Sequence, residues 1–416
     1  MDCKIFYFPH NIFDYLINFS MIHTCLYISA LASESRINRE FQKTGSNPGF
    51  AVQKFSRLLV KGLKANGITV NTLSNSIIID NNMYVPSYKE IEDGINYKYI
   101  PHINIPILKH LGIVLYTFFY VLCWGFSKRT EKTIICDVLS ISVCIGALLA
   151  SKINRVLSVA VVTDVYGMMI GDESTSLIAK LASFANQWYI NSFNKYILLT
   201  EEMNSVLNKK KRPYLVMEAL CDASLSPNDP TEIVKNQPRT VVYAGGLYEE
   251  YGLKMLAEGF LAANVENAKL IYYGSGPYAE HFSELCSKHP NLEYRGVAPN
   301  SEVVKEELKA SLLVNPRFTT EEYTKYSFPS KNMEFMASGT PLLTTKLPGM
   351  PKEYYPYVFL FKEETIQGYA DAISNALSYS QDYLNELGTK AKQFVLNNKN
   401  NIAQGKRIIN FINNLN

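Results

Sequence analysis

Short runs rich in Val, Ile, Leu, Tyr and Phe recur along the whole chain, and each is followed by a stretch with helical spacing. In the first half the runs are "HTCLYISAL", "ITVNTLS", "YIPHINI", "KTIICDV", "RVLSVAVVTD", "KYILLT" and "YLVMEA". In the second they are "TVVYAGGL", "KLIYYGSG", "LEYRGV", "SLLVNP", "PLLTTK" and "YVFLF". Between them lie "FAVQKFSRLLVKGLKANG", "YGLKMLAEGFLAAN" and "EVVKEELKAS", with apolar residues three and four apart. A strand that is apolar on both faces must be covered on both, and helices with one apolar face supply that cover. The alternation therefore predicts an α/β protein built on doubly wound parallel sheets.

At 416 residues the chain exceeds what one core usually holds, so two domains are expected. The stretch "DASLSPNDPTEIVKNQPR" carries three Pro among many polar residues and reads as a linker. The expected division is a first domain over 21–221, a linker over 222–239, a second domain over 240–395 and a C-terminal helix over 396–416. Residues 1–20 make a poor signal peptide, because Pro, His, Asn and Asp interrupt their apolar part. They are expected to be an extension outside the fold, as an upstream start codon would add.

The net charge is +3, too mild for a nucleic-acid partner. Seven Cys include no C-x-x-C pair and read as free thiols in a reducing compartment. Six scattered His, with no H-x-x-x-H, give no support to a metal site. Residues 111–126, "LGIVLYTFFYVLCWGF", run without a charge but fall short of a spanning length. They read as a buried or membrane-facing helix in preference to a transmembrane one. The run Lys209, Lys210, Lys211, Arg212 could touch anionic lipid, though such runs are more often solvated loops.

Several segments could carry chemistry. In "VVYAGGLYEEYGLKML", Gly245 and Gly246 let a ligand approach the backbone, and the helix after them offers free N–H groups. A tight turn with no ligand explains that segment equally well. Gly274 and Gly276 in "YYGSGP" form a second glycine-rich strand end, and two such ends on one sheet are better evidence than one. In "YSFPSKNMEFMASGTPLLTTKLPG", Ser327 and Pro329 suit a helix start. Ser330 and Lys331 add a hydroxyl and a cation there, which favours a phosphate or diphosphate. Glu334 lies one turn on and could accept hydrogen bonds from a ribose diol. A capped helix with solvated charges is the plainer alternative. Asp164 ends an apolar run and could bind an acceptor hydroxyl or act as a base, with a turn cap the preferred alternative. Glu218 is a weaker cleft candidate.

The pieces "AGGLYEEYGLKMLAEGF", "LIYYGSGP", "LEYRGVAPNSEV", "LLVNPR" and "SFPSKNMEFMASGTPLLTTKLPGMPKEY" together resemble the nucleotide-sugar domain of glycosyltransferase family 4. The first half resembles the acceptor domain more loosely, through "NPGFAVQKFSRLLVKGL", "VVTDVYG", "YILLTEEMN" and "PYLVMEAL". The resemblance implies a GT-B fold of two facing Rossmann-like domains, with the C-terminal helix packing back on the first. It implies retention of anomeric configuration and no metal or other cofactor. Glu334 then matches the ribose-holding Glu, and Gly246 the loop near the diphosphate. Gly274 and Gly276 match the loop behind the nucleotide, and Arg295, Gly296 and Val297 the segment beside the base. "TGSNPGFAVQKF" looks like the loop after the first strand, which would bring Asn47 and Gly49 to the cleft.

The chain also departs from the family. The first of the paired Glu residues falls at Tyr326, and the basic pair of the family's first loop is missing, its Arg replaced near Gly246 and its Lys falling at Tyr251. Glu321 and Glu322 are the candidates to replace the missing Glu. Arg317 and Lys331 are the candidates to balance the diphosphate. The implied activity is hexosyl or other glycosyl transfer from a nucleoside diphosphate sugar to a glycan or lipid-linked oligosaccharide. The FPSK-x-x-E-F-M-A-S-G form looks like a bacterial surface-polysaccharide branch, which places the protein in the cytoplasm, peripheral on the inner face of the membrane. A GT-B-fold nucleotide-sugar epimerase and a catalytically silent partner protein are the alternatives.

Overall fold

A computed structural model describes residues 22–44, 50–75, 82–127, 131–165, 186–225 and 233–414. Residues 1–20, Asn47 and Gly49 lie outside these.

The first sheet comprises β1 (Thr24–Ser29), β2 (Thr69–Ser74), β4 (Tyr88–Glu92), β5 (Ile95–Tyr99), β7 (Lys132–Asp137), β8 (Leu157–Val162), β9 (Lys195–Leu198) and β10 (Tyr214–Val216). Its order is β10-β9-β8-β7-β1-β2-β5-β4, parallel throughout except for β4 against β5. Two short strands, β3 (Tyr84–Val85) and β6 (His102–Ile103), pair antiparallel beside it. The expected strand over "YIPHINI" (99–105) is corrected: it shares only Tyr99 with β5 and otherwise holds the short β6 of the other sheet. Strand β4 was not legible, because half-exposed "YKEIE" lacks an apolar run.

The second sheet comprises β11 (Arg239–Ala244), β12 (Ala268–Tyr273), β13 (Leu292–Tyr294), β14 (Leu312–Asn315), β15 (Leu342–Thr345) and β16 (Phe359–Phe361). It is wholly parallel, in the order β13-β12-β11-β14-β15-β16. In each sheet the chain starts in the middle, builds one side, then crosses to the other. The resulting switch points lie between β1 and β7 and between β11 and β14.

Helices α1 (Glu34–Thr44), α2 (Phe50–Ala65), α3 (Pro106–Phe126) and α4 (Ile141–Ile153) cover the first sheet. The expected direct passage from β1 into the Asn47–Gly49 loop is corrected: α1 intervenes, anchored by Glu92 accepting from the Glu34 and Ser35 amides. Among the described residues α3 alone has the length and hydropathy to cross a membrane. It forms the crossover into β7, and its Ile113, Thr117 and Val121 are buried.

Helix α5 (Glu201–Leu207) completes the first half. The second sheet is covered by α6 (Leu253–Ala263), α7 (Ala279–Lys288), α8 (Asn300–Lys309), α9 (Ser330–Ser338), α10 (Ile366–Ser378) and α11 (Gln381–Asn398). The last helix, α12 (Asn401–Asn413), returns to the first sheet and places Ile408 and Ile412 in its core. The helices α12 and α2 approach at Gly405, where a Cβ would stand 2.5 Å from the Gly62 carbonyl oxygen. Of the described cysteines, Cys25, Cys136, Cys144 and Cys221 are buried, and all described ones are free thiols.

Candidate functional site

Open parallel sheets bind ligands at the carboxyl ends of strands beside the switch point. In the second sheet those ends are Gly245–Gly246 after β11 and Pro316–Arg317 after β14. The glycine-rich loops nest against each other. The Gly245 amide donates to Tyr273 O (3.0 Å), Leu247 to Ser275 O (2.9 Å) and Gly274 to Gly296 O (2.8 Å). Tyr243 Oη closes the turn by donating to Gly246 O (2.7 Å). Gly274 has φ +130°, and a Cβ there would stand 1.8 Å from Gly245 O, so no other residue fits.

Gly246 faces Tyr248 and Tyr251. The Arg317 guanidinium lies 4.1 Å from the centre of the Tyr251 ring, and its Nε is buried with no hydrogen-bond partner. A tyrosine stands where the resembled family has a base, and the neighbouring strand lays a guanidinium on that ring. Stacking on the aromatic face fixes the plane of this guanidinium.

Helix α9 starts at the same end of the sheet. Pro329 is its N-cap, Ser330 is its exposed first residue, and left-handed Gly339 (φ +84°) ends it. Lys331 Nζ lies 2.9 Å from Glu334 Oε2. Glu334 Oε1 accepts from Lys54 Nζ at 2.8 Å, and Lys54 belongs to α2 of the first half. Burial alone would raise the Glu334 carboxyl, but Lys331 and Lys54 outweigh it and hold the group below its ordinary range. Behind it Glu307 is buried and pushed up to about 7 by desolvation, against the pull of Lys331 and Lys54. Lys54 was missed in the sequence, since nothing in "FAVQKF" says which helix it will face.

The other candidates are more scattered. Arg295 is held by Glu293 (2.7 Å), Tyr273 Oη (2.7 Å) and Glu306 (2.9 Å), while Val297 is exposed. Gly296 is left-handed (φ +66°). Gly276 abuts Leu247 O. Glu322 is exposed, paired with Lys325 at 2.7 Å and accepting from Tyr326 Oη at 3.2 Å. Tyr326 packs against the core of the first half, and next to it Thr200 Oγ1 donates to Lys325 O at 2.8 Å. The position of the missing Glu therefore serves a contact between the halves. Glu218 is taken up by Lys399 and Tyr354 Oη where the chain crosses between the sheets.

In the first sheet, Asp137 ends β7 at the switch point and Asp164 lies two residues beyond β8. Asp137 accepts from the Leu139 amide at 3.2 Å. Burial raises both carboxyls, and the Asp164 charge adds to the effect on Asp137, which reaches about 6 from 3.8. Asp137 was overlooked, although it carries the signal that singled out Asp164, an Asp closing an apolar strand. A raised carboxyl holds a proton in the folded state that the unfolded chain has released. Stability thus falls as pH rises through that window. Asp137→Asn keeps an acceptor but removes the charge. Its unfolding free energy in urea is expected to exceed that of the wild type at neutral pH by up to about 3 kcal/mol. Below the unfolded value of 3.8 the two should coincide; an equal difference at both pH values would contradict this. Among the described residues no three His, Cys, Asp or Glu side chains gather as a metal site requires.

Residues 238–379 match the family model of Glycosyl transferases group 1. No curated protein matches the sequence. Solved structures with the same fold include Anabaena HepE in complex with UDP (TM-score 0.59, 12% identity). They also include the catalytic domain of Arabidopsis thaliana starch synthase IV bound to ADP and acarbose (TM-score 0.61, 12% identity). A third is the lipopolysaccharide outer core galactosyltransferase WaaB in its apo form (TM-score 0.58, 14% identity). Each alignment covers 94% of this chain and 99% of the other. At these identities the structural likeness establishes the GT-B fold. Together with the family model it supports a glycosyltransferase.

Proposed function

We propose that the protein is a retaining family 4 glycosyltransferase of bacterial surface-polysaccharide synthesis. It moves a sugar from a nucleoside diphosphate sugar to a glycan or lipid-linked acceptor in the cytoplasm. The observation that carries this reading is the Arg317 guanidinium stacked on Tyr251 beside Gly246, with Lys331 at the start of α9. Two cations and a helix start at one switch point suit the charge that grows on a departing diphosphate.

Glu334 accepts the ribose diol in this reading. Its carboxylate is already ionised and oriented by Lys331 and Lys54. Lys54 reaches it from the opposite half, so donor binding and approach of the halves are coupled, which excludes water from the sugar. Asp164, half buried two residues beyond β8, is the carboxyl placed to meet an acceptor hydroxyl, whereas Asp137 is buried and holds the Leu139 amide. The UDP and ADP held by the two structures of like fold are consistent with a nucleotide in the same crevice.

The test is calorimetry with UDP, GDP, ADP and CMP. One diphosphate should bind, and Lys331→Ala and Glu334→Ala should each weaken it by about 1–3 kcal/mol, as loss of a charged hydrogen-bond partner does. If folded wild type binds none, the second reading gains: a silent partner protein, favoured by the packing of Tyr326 against the first half. Sugar conversion without any acceptor would point instead to an epimerase.

A further inference from the structure

The far side of α3 and α4 carries an apolar surface that nothing described in the chain covers. The two helices run parallel. His110 Nδ1 meets Ser142 Oγ at 2.7 Å near their starts, and Asn154 Nδ2 donates to Val121 O at 3.2 Å near their ends. They approach closely at Gly146, where a Cβ would stand 2.3 Å from Val114 O. That packing uses the stripe of Ile113, Thr117 and Val121.

On the solvent side, Leu111, Leu115 and Phe119 succeed one another at steps of four and are 53%, 49% and 59% exposed. Ile107 and Phe126 extend the stripe at 82% and 67%. On α4, Ile141, Leu149 and Ile153 are exposed, eight and then four residues apart. Apolar side chains of this size gain by leaving water, so their exposure here favours a covering partner. Contiguous surfaces of this kind mark interaction sites, whereas scattered apolar residues do not.

The charge around the patch selects its occupant. Neither helix contains an Asp or Glu. Lys109 and His110 lie at one end. At the other, Lys152 Nζ lies 5.5 Å from the ring centre of Trp188, itself 55% exposed. Lys210 is near enough for its charge to repel that of Lys152. Lys209, Lys210, Lys211 and Arg212 are all exposed, and no described carboxylate forms an ion pair with them.

We infer that this face docks on an anionic membrane, with α3 and α4 lying flat at the boundary between headgroups and acyl chains. Leu, Ile and Phe enter the apolar edge, Trp188 sits at headgroup level, and the lysines contact lipid phosphates. A second copy fits less well, because a two-fold contact would bring together two faces that both lack acids. A spanning helix is at odds with the packing of α3 on α4. The inference stands apart from the transferase reading, since nucleotide binding does not enter its test.

The test is co-sedimentation of the full chain with phosphatidylcholine vesicles, with and without phosphatidylglycerol. Wild type should bind the anionic vesicles, lose that binding in high salt, and bind neutral vesicles at least about tenfold more weakly. Lys210→Glu with Lys211→Glu should weaken anionic binding by about tenfold or more. Leu115→Gln with Phe119→Gln should do the same at unchanged melting temperature, since both side chains are already exposed. Equal binding to neutral and anionic vesicles, or none to either, overturns the inference. Retention in cell membranes after an alkaline wash overturns it in favour of a spanning helix. A dimer in sedimentation velocity that Leu115→Gln with Phe119→Gln dissociates overturns it in favour of a second copy.

Discussion

Arg317→Ala is expected to lower kcat/KM for sugar transfer by about 10²–10³-fold, the range for removing one preorganised donor from a developing negative charge. The guanidinium lies over Tyr251 at 4.1 Å, beside Gly246, and its buried Nε has no protein partner to satisfy. Its charge is therefore available to a ligand, whereas Arg295 spends its charge on Glu293 and Glu306. The fold should survive the change, because a stacked pair of this kind contributes about 0.5–2 kcal/mol. Arg317→Lys should recover only part of the rate, since an ammonium keeps the charge and loses the planar stack. The sharper check is a second-site change. Tyr251→Lys in the Arg317→Ala background returns a cation to the same place from the other strand end. Part of the lost rate should return with it. Unchanged kinetics in Arg317→Ala would remove Arg317 from the site.

The largest loss of stability is expected from Lys399→Met. Lys399 Nζ lies 2.5 Å from Glu218 Oε1, with side-chain exposures of 5% and 2%, and Tyr354 Oη donates to the same oxygen at 2.5 Å. Glu353, half exposed, adds a second partner at 2.7 Å. Removing the lysine leaves Glu218 charged, buried and without its counterion, which costs about 3–5 kcal/mol. Replacing both residues, as Glu218→Leu with Lys399→Met, should recover most of that loss, because the desolvation cost of the pair disappears with it. Urea unfolding of the three variants tests the cycle. A single-variant loss below about 1 kcal/mol would mean that water reaches the pair. The cluster sits where Cys221 and Asn400 bridge the two crossing segments, so its loss should also loosen one half against the other.

The order of the layers was legible in the chain alone. Apolar β-branched runs and helical spacing report burial within a few residues, and they located the parallel strands other than β5, a helix start close to Pro329 and the glycine-rich turns. They missed β4 and all of β5 but Tyr99, and they mispaired "YIPHINI", because strands with an exposed face lack the continuous apolar run. They also ran the first strand straight into a loop where α1 intervenes.

The partners of the charges emerged only on folding. Lys54 and Glu334 are 280 residues apart, and Lys399 reaches Glu218 across 181. No local period encodes which helix faces which, so neither pair was legible. Likewise the sequence could record that Tyr251 and Tyr326 replace charged residues, but not where those rings would lie. Only the folded chain sets Arg317 on the first ring and turns the second toward the other half. Local hydrophobic patterning fixes the elements, because burial is felt residue by residue. The site depends on distances between elements, and these exist only once the sheets have packed.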